Sequence, residues 1–467
     1  MRIARQKDLA PALGAGKNVS GLVGKQALVE GRGEKMIERE MERMLDRLFP
    51  ICRSLTGDGV RRTLAILSER IPLNVHEIPS GTEVFDWTIP KEWNIRDAYI
   101  LDPGGRKIVD FAESNLHVVG YSCPVHKVLP LEELKQHLYS LPAQPDAVPY
   151  LTSYYKEHWG FCVSHRLLES LKPGDYTVHI DASLEQGFLT YGDAVLEGES
   201  KREVLLSTNI CHPSMANHEL SGPIVTAFLY ERIAARRRKF TYRFLFIPET
   251  IGAIAYLKEH GEHLRREMVA GYTLLCLGAK DRFNYKRSRE GNTMADLMAE
   301  HVLRRRKVDH VITEFHPLES DERQFCSPGF NLPVGSIRRS VPGLFVEYHT
   351  SLDTKAIVSF ETMAETLDII DEILRAMEAE GVYVSKAPYG EPQLGKRGLY
   401  HSLGSRKTQD EEIRRMLFVL NYADGKHSLR AIADKAGCGI LDLLPTAEKL
   451  CAHGLIEAVG ESGGQGI

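Results

Sequence analysis

The spacing of hydrophobic residues predicts alternating strands and helices over more than half of the chain. From residue 201 onwards, short apolar runs such as KREVLLSTNI and YRFLFIP alternate with longer segments of helical periodicity, such as SGPIVTAFLYERIAARR and ETMAETLDIIDEILRAMEAEG. This alternation is typical of a mostly parallel sheet with helices on both faces. We therefore predict an α/β fold, and we expect ligand sites at the carboxyl ends of its strands.

Changes in this pattern divide the chain into several units. We predict that residues 34–91 and 191–380 form the α/β domain. Residues 92–190 are predicted to form an inserted β-rich domain, because hairpin patterns such as AYILDPGGRKIVDFAES replace the helical periodicity there. The Pro- and Gly-containing segment 381–408 is predicted to be a linker. The order of helices in residues 409–467 is that of a helix-turn-helix unit.

Composition narrows the class of protein. The 59 basic and 63 acidic residues give a net charge of −4, so no basic surface for nucleic acid is expected. No apolar run of about 18 residues occurs, so we expect no membrane partner. The eight cysteines are scattered without a CxxC pair, which indicates reduced thiols in the cytoplasm. Residues 1–33 lack the apolar core of a secretory signal, and we expect them to be a disordered extension.

A polar segment with metal-binding chemistry follows the first strand of the α/β pattern. STNICHPSMANHELSGP, residues 207–223, contains His212, His218 and Glu219 within eight positions. Imidazoles and carboxylates are the usual ligands of a catalytic zinc. The alternative is an ordinary surface loop in which Glu219 stabilises the start of the next helix.

Two further segments place similar chemistry at the ends of predicted strands. Glu249 follows the strand FLFI and could act as general base, or it could simply cap a helix. His349 ends the predicted strand LFVEY, and Asp353 is close enough to orient an imidazole. If these segments share one cation through bonds of roughly 2 Å, the imidazoles of His212 and His349 must lie within about 6 Å of each other.

Longer strings of the sequence resemble a known bacterial family. The strings are CRSLTGDGV, CHPSMANHELSGP, IPETIG, SDERQFCSPGFNLPVGS and EYHTSLDT. They resemble aminopeptidase-like proteins that are sometimes associated with surface-polysaccharide biosynthesis, and the resemblance covers roughly residues 35–460. It implies a phosphorylase/hydrolase-like zinc exopeptidase core, shared with zinc aminopeptidases and glutaminyl cyclases, a β-rich insertion and a C-terminal winged helix.

The resemblance also implies roles for individual residues. His212 falls on the first metal-ligand position of the zinc aminopeptidases and His349 on the last one. His218 and Glu219 fall where those enzymes have a metal-bridging aspartate and its neighbour. Glu249 falls on the general base, which would take a proton from zinc-activated water and pass it to the leaving amine.

Two departures from the aminopeptidase pattern lower the predicted metal content. Thr250 occupies the position of a second glutamate ligand, and His218 occupies the bridging position. One imidazole nitrogen cannot bridge two cations as a carboxylate can. We therefore predict one zinc ion per chain, bound by His212, by Glu219 or His218, and by His349.

The resemblance suggests a substrate subsite in the string SDERQF. Asp321 resembles an aspartate of the relatives near the substrate amine. Asp321 or Glu322 could hold an α-ammonium group, whereas Arg323 could hold an anionic substrate. The predicted function is a zinc-dependent aminopeptidase-like hydrolase that cleaves an amide near a free amine, in small peptides or aminoacylated sugars.

Two other functions are kept as alternatives. The first is a catalytically altered relative that binds a metal or ligand without turnover and assists polysaccharide biosynthesis. The second is a winged-helix regulator with an enzyme-like sensor domain. DNA recognition is disfavoured because LDLLPTAEKLCAHG offers only Lys449, opposed by Asp442 and Glu448. We expect the winged helix to serve packing or dimerisation, so that a second copy of the chain is an expected partner.

Overall fold

A computed structural model describes residues 35–400 and 411–459. The predicted extension at residues 1–33 lies outside this part. The helices are α1 (35–48), α2 (Asp58–Leu67), α3 (Leu131–Leu134), α4 (His165–Ser170), α5 (Ser221–Ala234), α6 (Ile251–Glu267), α7 (Met294–Arg306), α8 (Glu322–Phe325), α9 (Phe360–Ala379), α10 (Glu411–Tyr422), α11 (Leu429–Ala436) and α12 (Ile440–Ala452). None of these helices has the length and apolar character that crossing a bilayer requires.

The strands of the described residues form one large sheet and several small ones. They are β1 (Asn74–Pro79), β2 (Glu83–Val84), β3 (Trp87–Thr88), β4 (Glu92–Leu101), β5 (Lys107–Asp110), β6 (Val125–Pro130), β7 (Leu138–Tyr139), β8 (Phe161–Cys162), β9 (Asp175–Glu185), β10 (Phe188–Leu196), β11 (Glu203–Asn209), β12 (Thr241–Ile247), β13 (Met268–Leu274), β14 (Phe283–Lys286), β15 (His310–Thr313), β16 (Val334–Arg338), β17 (Val382–Ser385), β18 (Asp424–Ser428) and β19 (Ile456–Ala458).

The large sheet confirms the predicted α/β fold. Its strand order is β1-β10-β12-β11-β13-β16-β14-β15. The four central strands β12, β11, β13 and β16 are parallel to one another. Antiparallel pairs occur towards the edges, where β10 pairs with β1 and β12, and where β14 pairs with β16. The carboxyl ends of the four central strands therefore meet at one edge of the sheet.

Helices cover both faces of this sheet because neighbouring side chains of a strand point in opposite directions. In β11, Val204 and Leu206 join a core that also contains buried residues of α5, α7 and α9. Leu205, between them, belongs to a second core with residues of α6. All three side chains are fully buried, so β11 is covered on both sides.

The β-rich insertion lies between β1 and β10. It contains an antiparallel sheet of order β5-β4-β9-β6. The predicted hairpin is present, since β4 pairs with β5 around a turn in which Gly105 has φ +80°. Because β1 and β10 belong to the large sheet, the insertion extends over residues 80–187. The predicted bounds 92–190 therefore begin too late and include the first residues of β10.

The C-terminal unit begins earlier than predicted. Strand β17 lies inside the segment 381–408 that was predicted to be a linker, and it pairs with both β18 and β19. The linker prediction is therefore wrong for residues 382–385, while residues 401–410 lie outside the described part. Four half-buried residues give no clear period, and both partner strands are distant in the sequence, so hydrophobic spacing could not identify this strand.

The C-terminal unit packs firmly against the α/β domain. Helix α12 contacts α9, and apolar residues of α10, α11 and α12 continue the main core. His301 of α7 is almost fully buried at this junction. Its Nε2 accepts the backbone N–H of Ile440 at 2.9 Å, and its Nδ1 lies 2.9 Å from Asp434. Part of the surface of α12 is therefore occupied by contacts within the chain.

Candidate metal site

Backbone strain concentrates at the carboxyl edge of the large sheet. Ser214, Thr250, Cys276 and His349 are non-glycine residues with φ of 37°, 64°, 50° and 54°. They lie in the loops that follow β11, β12, β13 and β16, in that order. L-residues rarely adopt positive φ, and such residues persist mostly where a functional geometry requires them. This edge is therefore the first place to search for a site.

Three imidazoles meet at this edge. One nitrogen from each of His212, His218 and His349 lies within 4.8 Å of the other two. The ring centroids of His212 and His349 are 5.2 Å apart, and those of His218 lie 4.6 and 4.8 Å from these two. Two nitrogens that bind one ion through bonds of roughly 2 Å lie at most about 4 Å apart. The separations of these nitrogens are therefore close to those that a shared ion requires. The expected closeness of His212 and His349 is present.

The nitrogen atoms of these rings fit a metal ion. Nδ1 of His218 and Nε2 of His349 are buried, and neither has a hydrogen-bond partner among the described residues. Nδ1 of His212 lies 2.8 Å from the Glu219 carboxylate, which leaves Nε2 free. Buried polar atoms almost always have partners. A cation such as zinc, which prefers imidazole nitrogens among its ligands, would provide the missing partner.

The pKa shifts of the three rings differ. Burial, together with the charges of His212 and His349, holds the pKa of His218 well below its usual range. Burial and the charge of His212 lower the pKa of His349 to about 3. Burial also acts to lower the pKa of His212, but the charges of Cys211 and Glu219 outweigh it and raise the net value. Two rings are thus neutral, as metal binding requires, whereas His212 would have to release a proton to bind a metal.

Glu219 contacts His212 with both of its carboxylate oxygens. Its Oε1 accepts the backbone N–H of His212 at 2.8 Å, and its Oε2 is the atom that contacts the His212 ring. Both carboxylate oxygens are therefore engaged by one residue. A carboxylate on the far nitrogen of a metal-binding imidazole fixes the orientation of the ring. Of the two residues that the sequence left open, His218 is the better third ligand.

Arg53 supports the same histidine from the other side. Its side chain is almost fully buried. Nε donates to the carbonyl of His212 at 2.8 Å, and Nη1 donates to the carbonyl of Leu48 at 2.7 Å. The turn after α1 is thereby tied to the loop that carries the first histidine.

Asp353 has a different role from the predicted one. We expected it to orient an imidazole, but its Oδ1 accepts the backbone N–H of Asn217 at 2.7 Å and its Oδ2 that of His218 at 2.9 Å. These bonds hold the π-helical turn Ala216–Leu220, which leads directly into α5. Asp353 therefore positions His218 through the backbone.

The predicted strand before His349 is absent. LFVEY lies in a series of turns, with Leu344 79% and Val346 66% exposed. Pro342 cannot donate a backbone hydrogen bond, and Gly343 has φ +78°, so the chain turns where the apolar run suggested a strand. His349 still reaches the edge of the sheet because its loop follows β16.

The insertion holds this loop in place. The backbone N–H of Tyr150 donates to the carbonyl of His349 at 2.8 Å, and the N–H of Ser351 donates to the carbonyl of Val148 at 2.8 Å. The ring of Tyr150 packs edge-on against His212 and His349, with both centroid distances 5.2 Å. Sequence reasoning missed Tyr150, because nothing near it in the chain indicates a contact with residues about 200 positions away.

Glu249 lies next to the histidines. Its Oε2 is 3.8 Å from Nε2 of His212, the nitrogen that Glu219 leaves free. Its side chain is partly exposed, whereas that of Glu219 is buried. Burial raises the pKa of Glu249, the charge of His212 opposes this and Glu219 adds to it, for a net increase. A carboxylate of increased basicity beside a water-accessible edge is suited to accept a proton.

The three predicted substrate residues differ in accessibility. Asp321 is fully buried, and its Oδ1 accepts the backbone N–H of Thr250 at 2.8 Å. Glu322 is also fully buried, forms an ion pair with Lys286 and cannot contact a substrate, so that prediction is wrong. Arg323 is partly exposed and donates to the hydroxyl of Thr250 at 2.9 Å. Only the last of the three offers its side chain to a ligand.

Comparison with protein families agrees with this architecture. Residues 42–380 match a family model described as a domain of unknown function, DUF4910. Residues 381–458 match a model described as a winged helix-turn-helix. The second range begins at residue 381, which agrees with the inclusion of β17 in the C-terminal unit.

Individual relatives extend the comparison. One relative is a protein of Clostridium acetobutylicum that is named as a polysaccharide biosynthesis protein with an aminopeptidase-like domain. It is 44% identical over 420 residues, which cover 90% of this chain and 96% of that protein. A crystal structure from the same organism, described as a peptidase, is 42% identical with a TM-score of 0.86 and covers 93% of this chain and 100% of that one. A zinc aminopeptidase of Bacillus subtilis has a TM-score of 0.55 at 12% identity, over 73% of this chain and 94% of that one, and so shares the fold.

Proposed function

Because the chain belongs to the DUF4910 family and carries a winged helix-turn-helix unit, with an aminopeptidase-like core, we propose that it is a zinc-dependent hydrolase. The proposed reaction is cleavage of an amide near a free amine, in small peptides or aminoacylated sugars. The observation that carries the proposal is the meeting of three imidazoles, two buried and one half-buried, with Glu249 at the carboxyl edge of the sheet.

Each residue of the site has a defined task under this proposal. His212, His218 and His349 would hold one zinc ion. Zinc, when bound, supplies Lewis acidity that activates water at neutral pH. Glu249 accepts the proton of the attacking water at its carboxylate and delivers it to the nitrogen of the leaving amine, so that the amide bond breaks and a carboxylic acid and an amine result.

Metal analysis of the parent protein tests this proposal. We expect about one zinc per chain after dialysis against zinc-free buffer, measured by inductively coupled plasma mass spectrometry. Hydrolysis of a panel of aminoacyl p-nitroanilides and aminoacylated glucosamine should disappear on treatment with a chelator and return with zinc. Protein that retains no zinc after exposure to excess metal would contradict the proposal.

The name of the Clostridium acetobutylicum relative favours one alternative. That protein is named for polysaccharide biosynthesis as well as for its aminopeptidase-like domain. Under this alternative the chain is catalytically altered and binds a metal or ligand without turnover. One bound zinc per chain together with no cleavage of any amide in the panel would favour it over the hydrolase.

The regulator alternative requires the winged helix to bind DNA, and we expect no such binding. The exposed positions of α12 include Asp442, Pro445 and Glu448, and Lys449 is paired with Glu412. A recognition helix needs cations that face the phosphates. In a fluorescence-anisotropy titration of duplex DNA, we expect no saturable binding below about 10 µM protein at roughly 50 mM salt. Binding with a steep dependence on salt concentration would revive the regulator.

A further inference from the structure

Arg323 lies beside the proposed general base. Its Nη2 donates to Oγ1 of Thr250 at 2.9 Å, and Thr250 directly follows Glu249. Glu249 in turn lies 3.8 Å from Nε2 of His212. The guanidinium is thus bonded to the residue next to the proposed general base.

The positive charge of Arg323 has no carboxylate partner. Among the described residues, no carboxylate forms an ion pair with its guanidinium. Its other side-chain contact is a carbonyl, that of Glu319, at 3.4 Å. The nearby cations differ in this respect, since Lys286 is paired with Glu319 and Glu322, and Arg338 is paired with Glu319.

The neighbouring acids, Asp321 and Glu322, contact groups other than Arg323. One oxygen of Asp321 accepts the backbone N–H of Thr250, and the side chain is fully buried. Glu322 accepts the hydroxyl of Thr273 at 3.1 Å in addition to its ion pair with Lys286. Neither carboxylate forms an ion pair with Arg323 in the described part of the chain. Its guanidinium therefore retains N–H donors that a ligand could use.

We propose that Arg323 binds an anionic group of the substrate, so that the enzyme selects amides with a carboxylate or phosphate close to the scissile bond. A partly buried guanidinium binds such groups through two parallel N–H donors, and the partial loss of solvent strengthens the contact. This inference rests on the proposed hydrolase function and adds the charge of the substrate to it. Arg323 is then a specificity-determining residue.

Matched hydroxamates of amino acids test the proposal in the zinc-loaded protein. Glutamic acid α-hydroxamate and glutamine α-hydroxamate have nearly the same shape and differ in one negative charge. Isothermal titration calorimetry should show that the parent binds the glutamic acid compound about 10- to 100-fold more tightly, as expected for a hydrogen-bonded charge. In Arg323→Gln this preference should disappear while the affinity for the glutamine compound stays within about threefold.

Two further pairs identify the source of the anion. Phosphoserine α-hydroxamate and serine α-hydroxamate test a phosphate, and the dipeptide Ala-Ala and its C-terminal amide test a terminal carboxylate. A preference for the charged member of at least one pair, lost in Arg323→Gln, supports the proposal. Equal binding within all three pairs by the parent overturns it.

The variant Thr250→Val tests whether Arg323 acts by binding the ligand or by its hydrogen bond to Thr250. This variant removes the hydroxyl that Arg323 contacts but retains the guanidinium and the branched side chain. We expect it to keep the preference for the charged compound. If it loses this preference to the same extent as Arg323→Gln, Arg323 acts by holding Thr250 and the proposal is wrong. Arg323→Lys should keep part of the preference, since it preserves the charge but not the paired donors.

The outcomes separate this inference from the function on which it rests. If the protein holds one zinc and binds the neutral hydroxamates, but shows no preference for charge, only the role of Arg323 is overturned. If the protein holds no zinc and binds no hydroxamate, the hydrolase proposal and this inference are overturned together.

Discussion

Glu249→Gln should lose hydrolysis while keeping zinc. Glutamine has nearly the same shape as glutamate but cannot accept the proton of the attacking water, and proton transfer of this kind contributes about 100- to 10,000-fold to a rate. Glu249 is separate from the three imidazoles, with its Oε2 3.8 Å from the nearest of their nitrogens. We expect kcat/KM to fall by about this factor and zinc content to remain near one per chain, with both measured on the same preparation.

A second glutamate provides the control for this experiment. Glu259 lies in α6, the helix that follows Glu249, and its side chain is 62% exposed. Glu259→Gln changes the net charge by the same amount and should keep the parent rate. Parent-like hydrolysis by Glu249→Gln would show that the proton is accepted elsewhere, even if the metal site is correct.

His218→Ala and His349→Ala should each lose zinc. Each change removes one of three imidazoles from the site, and the binding energy of a zinc site is shared among its few ligands. We expect the affinity for zinc to fall about 100-fold or more, and hydrolysis to fall with it. Competition against a chromophoric chelator measures the affinity. His453→Ala, which removes an exposed imidazole near the C-terminal end of the described chain, should bind zinc like the parent.

A glutamate variant distinguishes the two possible ligand sets. If Glu219 only orients His212, Glu219→Gln should weaken zinc binding by about 10- to 100-fold, the usual effect of losing a partner of a ligand. If the affinity for zinc falls less in His218→Ala than in Glu219→Gln, the third ligand is the carboxylate of Glu219 and not the imidazole of His218. If both His218→Ala and His349→Ala bind zinc like the parent, the ion does not bind at the proposed site.

The parts of the fold that the sequence predicted correctly depend on local patterns. Buried strands such as β11 and β12 are continuous apolar runs between long amphipathic helices, so both their presence and their direction could be predicted. That inference also placed His212 and Glu249 at one edge of the sheet, because the carboxyl ends of adjacent parallel strands coincide. The prediction was wrong for LFVEY and for β17, where short apolar segments depend on distant contacts.

The roles of individual acids could not be predicted in the same way. Glu219, Asp353 and Glu322 each lie in a string with suitable spacing, but spacing does not determine which way a carboxylate points. Glu219 turns back to His212, Asp353 accepts two backbone donors from another loop, and Glu322 is paired with a buried lysine. A buried carboxylate must find donors, and the nearest donors come from segments that only the folded chain brings together.

The contact between the insertion and the loop of His349 determines when the proposed metal site can be completed. Residues 148–150 precede most of the large sheet in the chain, whereas His349 follows it, and the two become neighbours only when both domains are complete. During synthesis, the last of the three proposed ligands, His349, therefore emerges after the other two. Under the proposed function, binding of the ion would follow the joining of the insertion to the α/β domain.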